Sequence, residues 1–341
     1  MSAQVAVASD DNQIPPQTSG LLRGQPSNFS TQDCHTCAIL SAIAYDDEDP
    51  AVLLARLKAE TKCKEVLWLF KENDTTVEDS RRFDLGGFVT KDDQHIYIVF
   101  RGTSSKANAI TDIRIAMVPT SNRKLPFLQE FVGSRTDEEF ESWIADSSKE
   151  DETLDTKDRT MNCLSGLCLF SKPKEAWLHK GFAFALSSVF WDMEKRVKEF
   201  LKESLLPIIV TGHSLGGASA MLLTFHATYP IKAVYTFGQP RVGGPSFANL
   251  YQRKRLDEKT FRLIKDQDIV SRAPPLSSGY RHVGRSLYMP SGGAKPIWDP
   301  TSLSLWRLGF NSCFNVGPRG IRDHGTKGYV EETKRLLAGA L

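Results

Sequence analysis

The chain has 341 residues, of which 40% are hydrophobic and 25% are charged, as in an ordinary globular protein. Its 43 lysines and arginines nearly balance its 41 aspartates and glutamates, and the formal net charge of +2 argues against a nucleic-acid partner. No run approaches the roughly 18 apolar residues of a membrane-spanning helix, so no such helix is expected.

The first 30 residues differ from the rest of the chain. Met1 to Pro26 are rich in Ser, Gln, Asp and Pro, and they lack the basic start and the apolar run of a secretory signal peptide. This composition predicts a disordered tail over residues 1–30, followed by one domain over residues 31–341. The expected location is cytoplasmic or peripheral to a membrane, with export by a route that needs no signal peptide left open.

Six cysteines in a chain of this length, without a signal peptide, indicate reduced thiols rather than a disulfide framework. Cys34 and Cys37 have the spacing of a redox or zinc motif, but no second pair completes a metal site. We interpret them as two small residues on a helix. Neither a metal nor an organic cofactor is expected.

The predicted elements begin with helices and a hairpin. Apolar residues recur at helical spacing from Cys34 to Tyr45 and again from Val52 to Leu57. The segments 83–90 and 94–100 alternate in polarity and are joined by a polar turn, which predicts a β-hairpin.

Strand and helix patterns then alternate. Apolar runs from Pro207 to Thr211, Ile231 to Phe237 and Thr260 to Ile264 are separated by helical patterns such as Gly217 to Tyr229. This repetition predicts an α/β fold in which helices cover both faces of a mostly parallel sheet.

The regular pattern breaks down over residues 119–175, which we interpret as an insertion. Ten acidic residues lie between Asp137 and Asp158, and an apolar piece follows at 163–170. Loops of this length are lids, binding loops or disordered segments. The acidic part is expected to be a solvated loop, and the apolar piece either shields the site or packs on the body.

The segment Gly212-His213-Ser214-Leu215-Gly216 matches the G-x-S-x-G pattern of a nucleophile elbow. An apolar strand enters it and a small-residue helix start leaves it, as such an elbow requires. The Leu215 N–H at the helix start is the expected donor to an oxyanion. His213 cannot turn back to the serine hydroxyl, so we interpret it as a packed, hydrogen-bonded residue.

A nucleophilic serine needs an acid and a base. In folds with a nucleophile elbow of this kind, the acid and then the base follow the serine along the chain. Asp268 comes after a predicted strand, where catalytic side chains collect, but Asp266 and Asp257 are rivals. His282 lies in a predicted strand and His324 in a polar loop before the final helix. The second oxyanion donor is expected after an early strand, where Thr103 offers an N–H and a hydroxyl. A simple polar turn is the alternative there.

Several stretches together resemble the class 3 (fungal-type) triacylglycerol lipase family. They follow the family's order and cover most of the chain from about Cys34 to Leu341. The stretches are Ile98 to Asp112, His179 to Phe182, Thr211 to Gly217, Thr236 to Gly243, Asp268 to Val270 with Pro274-Pro275, and Asp323-His324.

The resemblance implies an α/β-hydrolase fold with Ser214 as nucleophile, Asp268 as acid and His324 as base. It also implies an oxyanion hole formed by Thr103 and Leu215. The implied activity is cleavage of carboxylic ester bonds in lipids, with a lipid ester as substrate and contact with a membrane or lipid-droplet surface as a further expectation.

Two alternatives stay open. One is a phospholipase A-type enzyme, and the other is a catalytically idle, lipase-like binding or scaffold protein. The chain also departs from the family pattern: Ala109 stands where a lid aromatic is common, Ser271 where Pro is common and Ser286 where Glu is frequent. No pattern in the sequence indicates an oligomeric state.

Overall fold

The structure is a computed structural model that describes residues 24–45, 50–71, 85–102, 117–119, 176–187, 189–291, 294–300 and 318–339. Almost all of the predicted insertion, its apolar piece and Thr103 lie outside these ranges. Among the described residues, no helix combines the length and apolarity needed to cross a bilayer.

A mostly parallel sheet organises the part of the chain that the structure describes. Its strands, in spatial order, are β1 (Glu65–Lys71), β2 (Gly86–Lys91), β3 (Ile96–Phe100), β6 (Ile208–His213), β7 (Ile231–Phe237), β8 (Thr260–Lys265), β9 (Arg285–Met289) and β10 (Ile297–Trp298). The five strands from β3 to β9 run parallel, and the outer strands pair antiparallel. Strands β4 (Met117–Pro119) and β5 (Trp177–His179) form a separate antiparallel pair.

Helices cover both faces of the sheet. The α-helices are α1 (Thr31–Ile43), α2 (Pro50–Glu60), α3 (Lys180–Ser187), α4 (Phe190–Glu203), α5 (Leu215–His226), α6 (Pro245–Arg253), α7 (Pro318–Asp323) and α8 (Thr326–Leu337). Successive residues of a strand point to opposite faces, so Val210 packs in the core beneath α3, α4 and α5, whereas Ile209 packs beneath α1 and α8.

Most predicted elements are present. The hairpin consists of β2 and β3, and the three apolar runs are β6, β7 and β8. Strand β1 was not predicted, because it lies at the edge of the sheet and its Leu69 is 41% exposed, so it lacks the pattern of a buried strand.

The boundary of the predicted tail needs correction. Phe29 is buried and its ring packs against the rings of Tyr235, Phe261 and Trp298 at centroid distances of 5.7, 5.2 and 4.8 Å. Ser30 caps α1 by accepting a hydrogen bond from the Asp33 N–H. Ordered packing therefore begins before residue 31, since an aromatic ring in the tail supplies part of the core.

The turn from β6 into α5 brings two backbones into contact. A Cβ atom on Gly212 would overlap the backbone of Gly216 and lie 2.8 Å from the Gly217 nitrogen. A Cβ on Gly216 would overlap the Phe100 carbonyl oxygen and lie 2.8 Å from the Arg101 carbonyl carbon. Only glycine fits at these positions, so the two glycines set how closely β6, α5 and the end of β3 approach each other.

We expect Gly216→Ala to lower the free energy of unfolding by at least about 2 kcal/mol, because the added methyl group meets backbone that cannot rotate away. Gly328→Ala is the matched control, since the three atoms nearest to its Cβ would belong to the flexible Lys265 side chain. Urea unfolding of both variants measures the difference. Equal loss in the two variants would contradict the role of close backbone approach.

Candidate active site

The carboxyl ends of parallel strands β3, β6, β7 and β8 lie side by side, and the predicted site residues follow these ends. Ser214 comes directly after β6, and Asp268 comes three residues after β8. His324 lies between α7 and α8. The topology thus collects residues that are far apart in sequence at one edge of the sheet.

Ser214 occupies a sharp turn with φ of 59° and ψ of −127°, a positive φ that non-glycine residues adopt rarely. Its N–H donates to the Phe237 carbonyl at 2.9 Å, and the residue is only 3% exposed. Helix α5 starts at Leu215, where the first N–H groups have no partner within the helix and favour an anion. The local structure is the elbow that the sequence predicted.

The loop after β3 approaches this elbow. A Cβ on Gly102 would lie 3.1 Å from the Ser214 Cβ and 2.7 Å from the His213 carbonyl oxygen. Thr103, the residue that the sequence proposes as the second oxyanion donor, follows Gly102 but lies outside the described residues. Its assignment to the oxyanion hole stays a prediction.

The structure brings Asp268 and His324 into direct contact. The His324 Nδ1 atom lies 3.0 Å from each Asp268 carboxylate oxygen, and both side chains are buried. The carboxylate also accepts hydrogen bonds from the Val270 N–H at 2.9 Å and the Tyr329 hydroxyl at 2.5 Å. Because a carboxylate only accepts, Nδ1 donates and Nε2 is left for another partner.

The surroundings of Asp268 favour its charged form. Burial works to raise the pKa of this carboxyl, but the interaction with His324 and the hydrogen bond from Tyr329 outweigh it and hold the pKa below its usual value. Asp268 is therefore a carboxylate at neutral pH and can orient the His324 ring.

The rival residues lie elsewhere. Asp266 is buried, and its carboxylate accepts a hydrogen bond from the Ser291 hydroxyl. Asp257 precedes β8 and so lies at the opposite end of that strand from Asp268. Of the three aspartates, Asp268 is the one whose described hydrogen bonds include His324.

His282 supports the loop that carries Asp268. Its Nε2 atom donates to the Ser271 carbonyl at 2.7 Å. The predicted strand at His282 is wrong, because Gly284 turns the chain with φ of 76° and β9 begins only at Arg285. Burial, followed by the charges of Arg262 and Arg241, lowers the pKa of His282 well below its usual value.

Sequence reasoning missed two residues that shape the acid and base. Gly238 has φ of 59°, and a Cβ there would lie 2.5 Å from Asp268 Oδ2 and 2.8 Å from His324 Nδ1. Its position directly after β7 was the available signal. Tyr329 lies in the final helix, and no local pattern connects it with Asp268.

His213 is hydrogen-bonded at both ring nitrogens. Nδ1 lies 2.7 Å from the Tyr45 hydroxyl, and Nε2 lies 2.6 Å from the His324 carbonyl oxygen. The rings of His213 and His324 are 4.4 Å apart between centroids. The interpretation of His213 as a packed, hydrogen-bonded residue agrees with these contacts.

The cysteines of the predicted CxxC pattern lie on α1. Cys34 and Cys37 are buried free thiols, as is Cys63. Burial, followed by nearby negative charge, raises the pKa of Cys34 and Cys37 well above the usual value. Within the described ranges, no group of three or more His, Cys, Asp or Glu side chains is arranged to hold a metal ion.

Comparison with known proteins identifies the family. The lipase (class 3) family model matches residues 97–278, which is more than half of the chain. This chain belongs to the lipase (class 3) family, and the predicted family is confirmed. Membership supports carboxylic ester hydrolysis as the reaction class.

Two curated relatives illustrate the likeness. A lipase of Rhizopus niveus is 29% identical over 219 residues, which cover 61% of this chain and 43% of that protein. A secreted mono- and diacylglycerol lipase of Fusarium solani is 33% identical over 148 residues, which cover 42% of this chain and 44% of that protein. The matches thus span less than half the length of these relatives.

Among solved structures, lipase II from Rhizopus niveus is similar with a TM-score of 0.56. The sequences are 24% identical, and the likeness covers 86% of this chain and 92% of that chain. It shows the fold, so the predicted α/β-hydrolase fold is confirmed.

The expectation of a cytoplasmic or peripheral-membrane location is wrong. The Fusarium solani relative is named a secreted lipase, and such relatives point away from the cytoplasm. The expectation rested on finding neither a signal-peptide pattern nor a membrane-spanning run in the sequence, and these observations do not determine a compartment.

The lowered pKa of His282 gives a pH dependence of known sign. The buried ring is neutral, whereas an unfolded histidine takes up a proton below about pH 6.5. His282 therefore contributes its full stabilisation above that pH and loses it as the pH falls. We expect the urea midpoint of His282→Asn to fall less than that of the wild type between pH 7.5 and pH 5. An equal fall would contradict the prediction.

Proposed function

We propose that this protein is a serine hydrolase that cleaves carboxylic ester bonds of acylglycerols. The observation that carries this proposal is the buried Asp268–His324 pair at the same sheet edge as the strained Ser214 elbow. Membership of the lipase (class 3) family supports it.

In this mechanism His324 Nε2 takes the proton of the Ser214 hydroxyl while the serine oxygen attacks the ester carbonyl. The N–H groups of Leu215 and Thr103 stabilise the negative oxygen of the tetrahedral intermediate. His324 then protonates the leaving alcohol, which gives an acyl-enzyme. Water, deprotonated by His324, attacks the acyl group, and collapse of the second intermediate releases the fatty acid and restores the Ser214 hydroxyl.

The names of the relatives support the choice of substrate, since the Fusarium solani protein is described as a mono- and diacylglycerol lipase. Fatty acid release from emulsified tri- and diacylglycerols tests the proposal, with phosphatidylcholine vesicles and a soluble short-chain ester as further arms. If fatty acid were released from phosphatidylcholine and not from the acylglycerols, the substrate class would be phospholipids rather than acylglycerols. No hydrolysis in any arm, together with no labelling by a fluorophosphonate, would reject the serine hydrolase.

We expect Ser214→Ala and His324→Ala each to lower esterase turnover by at least about 10³-fold, because the nucleophile and its base act as a unit. Ser219→Ala is the matched control, since Ser219 is a fully buried serine in the same helix α5. Turnover on a soluble ester and fluorophosphonate labelling provide the readout. Near-normal turnover in either of the first two variants would contradict the assignment.

Asp268→Asn should lower kcat by on the order of 10³- to 10⁴-fold with a small change in KM, because the amide holds the His324 ring in the wrong tautomer. Asp266→Asn makes the same chemical change two residues away, where the carboxylate accepts a hydrogen bond from the Ser291 hydroxyl. We expect it to change kcat by less than about tenfold, an effect of packing alone. Comparable losses of kcat in both variants would leave Asp268 without a special role.

A further inference from the structure

One close contact and two hydrogen bonds connect three loops of the candidate site through two side chains that the proposed chemistry does not use. The Tyr45 hydroxyl lies against Gly102, where no Cβ atom would fit. The Tyr45 hydroxyl lies 2.7 Å from His213 Nδ1, and His213 Nε2 lies 2.6 Å from the His324 carbonyl oxygen. We name this series the Tyr45–His213 bridge.

The direction of each bond in the bridge is fixed by its ends. A carbonyl oxygen only accepts, so His213 Nε2 donates to His324. A neutral imidazole then has an acceptor at Nδ1, and the Tyr45 hydroxyl donates to it. Burial raises the pKa of Tyr45 above its usual range, so the phenol keeps this proton at neutral pH.

The bridge reaches each loop beside a residue of the proposed mechanism. Gly102 immediately precedes Thr103, and His213 immediately precedes Ser214. At the far end, the bridge binds the backbone carbonyl of His324, while Asp268 binds the side chain of the same residue. The base is therefore held at its main chain and at its ring by two different parts of the fold.

Close packing supports the bridge. A Cβ on Gly102 would overlap the Tyr45 hydroxyl, so the loop after β3 is pressed against it. The rings of Tyr45 and His213 are 5.6 Å apart between centroids in an edge-on arrangement. Tyr45 itself lies two residues beyond α1, which packs against β6 and α8.

We propose that Tyr45 and His213 are positioning residues that hold the loop after β3 at Gly102, the turn at Ser214 and the base in one fixed arrangement. The inference rests on the roles proposed above for Ser214, His324 and Thr103. The bridge contributes no proton to the reaction. It sets the distances between groups that must act together, and a misplacement of such groups lowers the rate of the chemical step more than it weakens substrate binding.

Tyr45→Phe tests the bridge because it keeps the ring and removes only the hydroxyl. We expect kcat on a soluble ester to fall by about 10- to 100-fold while KM changes by less than about twofold. The matched control is Tyr235→Phe, since Tyr235 is a buried tyrosine whose hydroxyl accepts the Ser30 N–H at 3.1 Å. If kcat of Tyr45→Phe equalled kcat of Tyr235→Phe, the positioning role would be refuted.

A double-mutant cycle with His213→Asn separates a connected bridge from two independent contacts. If both residues act through one bridge, the double variant should lose about as much kcat as the more damaging single variant. Losses that multiply would show that Tyr45 and His213 act separately and would overturn the proposal.

A second measurement does not depend on ester hydrolysis. In protein labelled with ¹⁵N-histidine, the imidazole signals that His213→Asn removes are those of His213. We expect Tyr45→Phe to shift its Nδ1 signal and to shift the signals of His324, whereas Tyr235→Phe should leave both in place. Unchanged His213 and His324 signals in Tyr45→Phe would refute the bridge. If the wild type hydrolyses no ester, the proposed function fails, and these spectra still decide whether the bridge exists.

Discussion

The carboxylate of Asp268 has no exposure to solvent, and this buried charge constrains everything around it. An ionised group without water is costly unless hydrogen bonds and an opposite charge compensate it. Donors come from separate parts of the chain, namely the Val270 N–H of its own loop, the ring of His324 after α7 and the hydroxyl of Tyr329 in α8. The hydrogen bonds to the Asp268 carboxylate thus fix α7 and α8 to the sheet.

Helix α1, near the start of the described chain, also supports the site. Helix α1 packs against α8 and β6, and the chain just beyond it places Tyr45 next to His213. Segments near both ends of the described chain therefore close around residues in its middle. A fold of this kind makes the geometry of the site sensitive to the packing of helices that contribute no reacting atom.

Local and long-range structure differed in how far the sequence could predict them. The elbow at Ser214 was predictable because its cause is local: Gly212 and Gly216 let a strand and a helix pass closely. Choosing His324 over His282 required a family resemblance, since a predicted strand at His282 and a polar loop at His324 did not by themselves identify the base. Tyr329 gave no signal, because its bond to Asp268 joins positions 61 residues apart.

The wrong strand at His282 and the wrong tail boundary have a common cause, since in each case a single residue outweighs the composition of its neighbours. Residues around His282 have strand-like composition, yet Gly284 turns the chain before β9 can begin. The predicted tail, residues 1–30, included Phe29, whose ring completes an aromatic cluster built from distant strands. Composition averages over a window, whereas a single aromatic side chain decides where packing starts.

The loop that carries Asp268 shows why an unusual pKa alone does not identify a catalytic group. An irregular buried loop lacks the partners of a strand, so its carbonyl groups need donors from side chains. His282 donates to the Ser271 carbonyl and Arg241 to the Pro274 carbonyl, while the Ser271 hydroxyl binds the Asp268 carbonyl. The pKa of His282 is lowered because it is buried among cations in this supporting layer. Its perturbed titration follows from holding the acid in place, whereas the histidine in contact with the acid is identified by geometry.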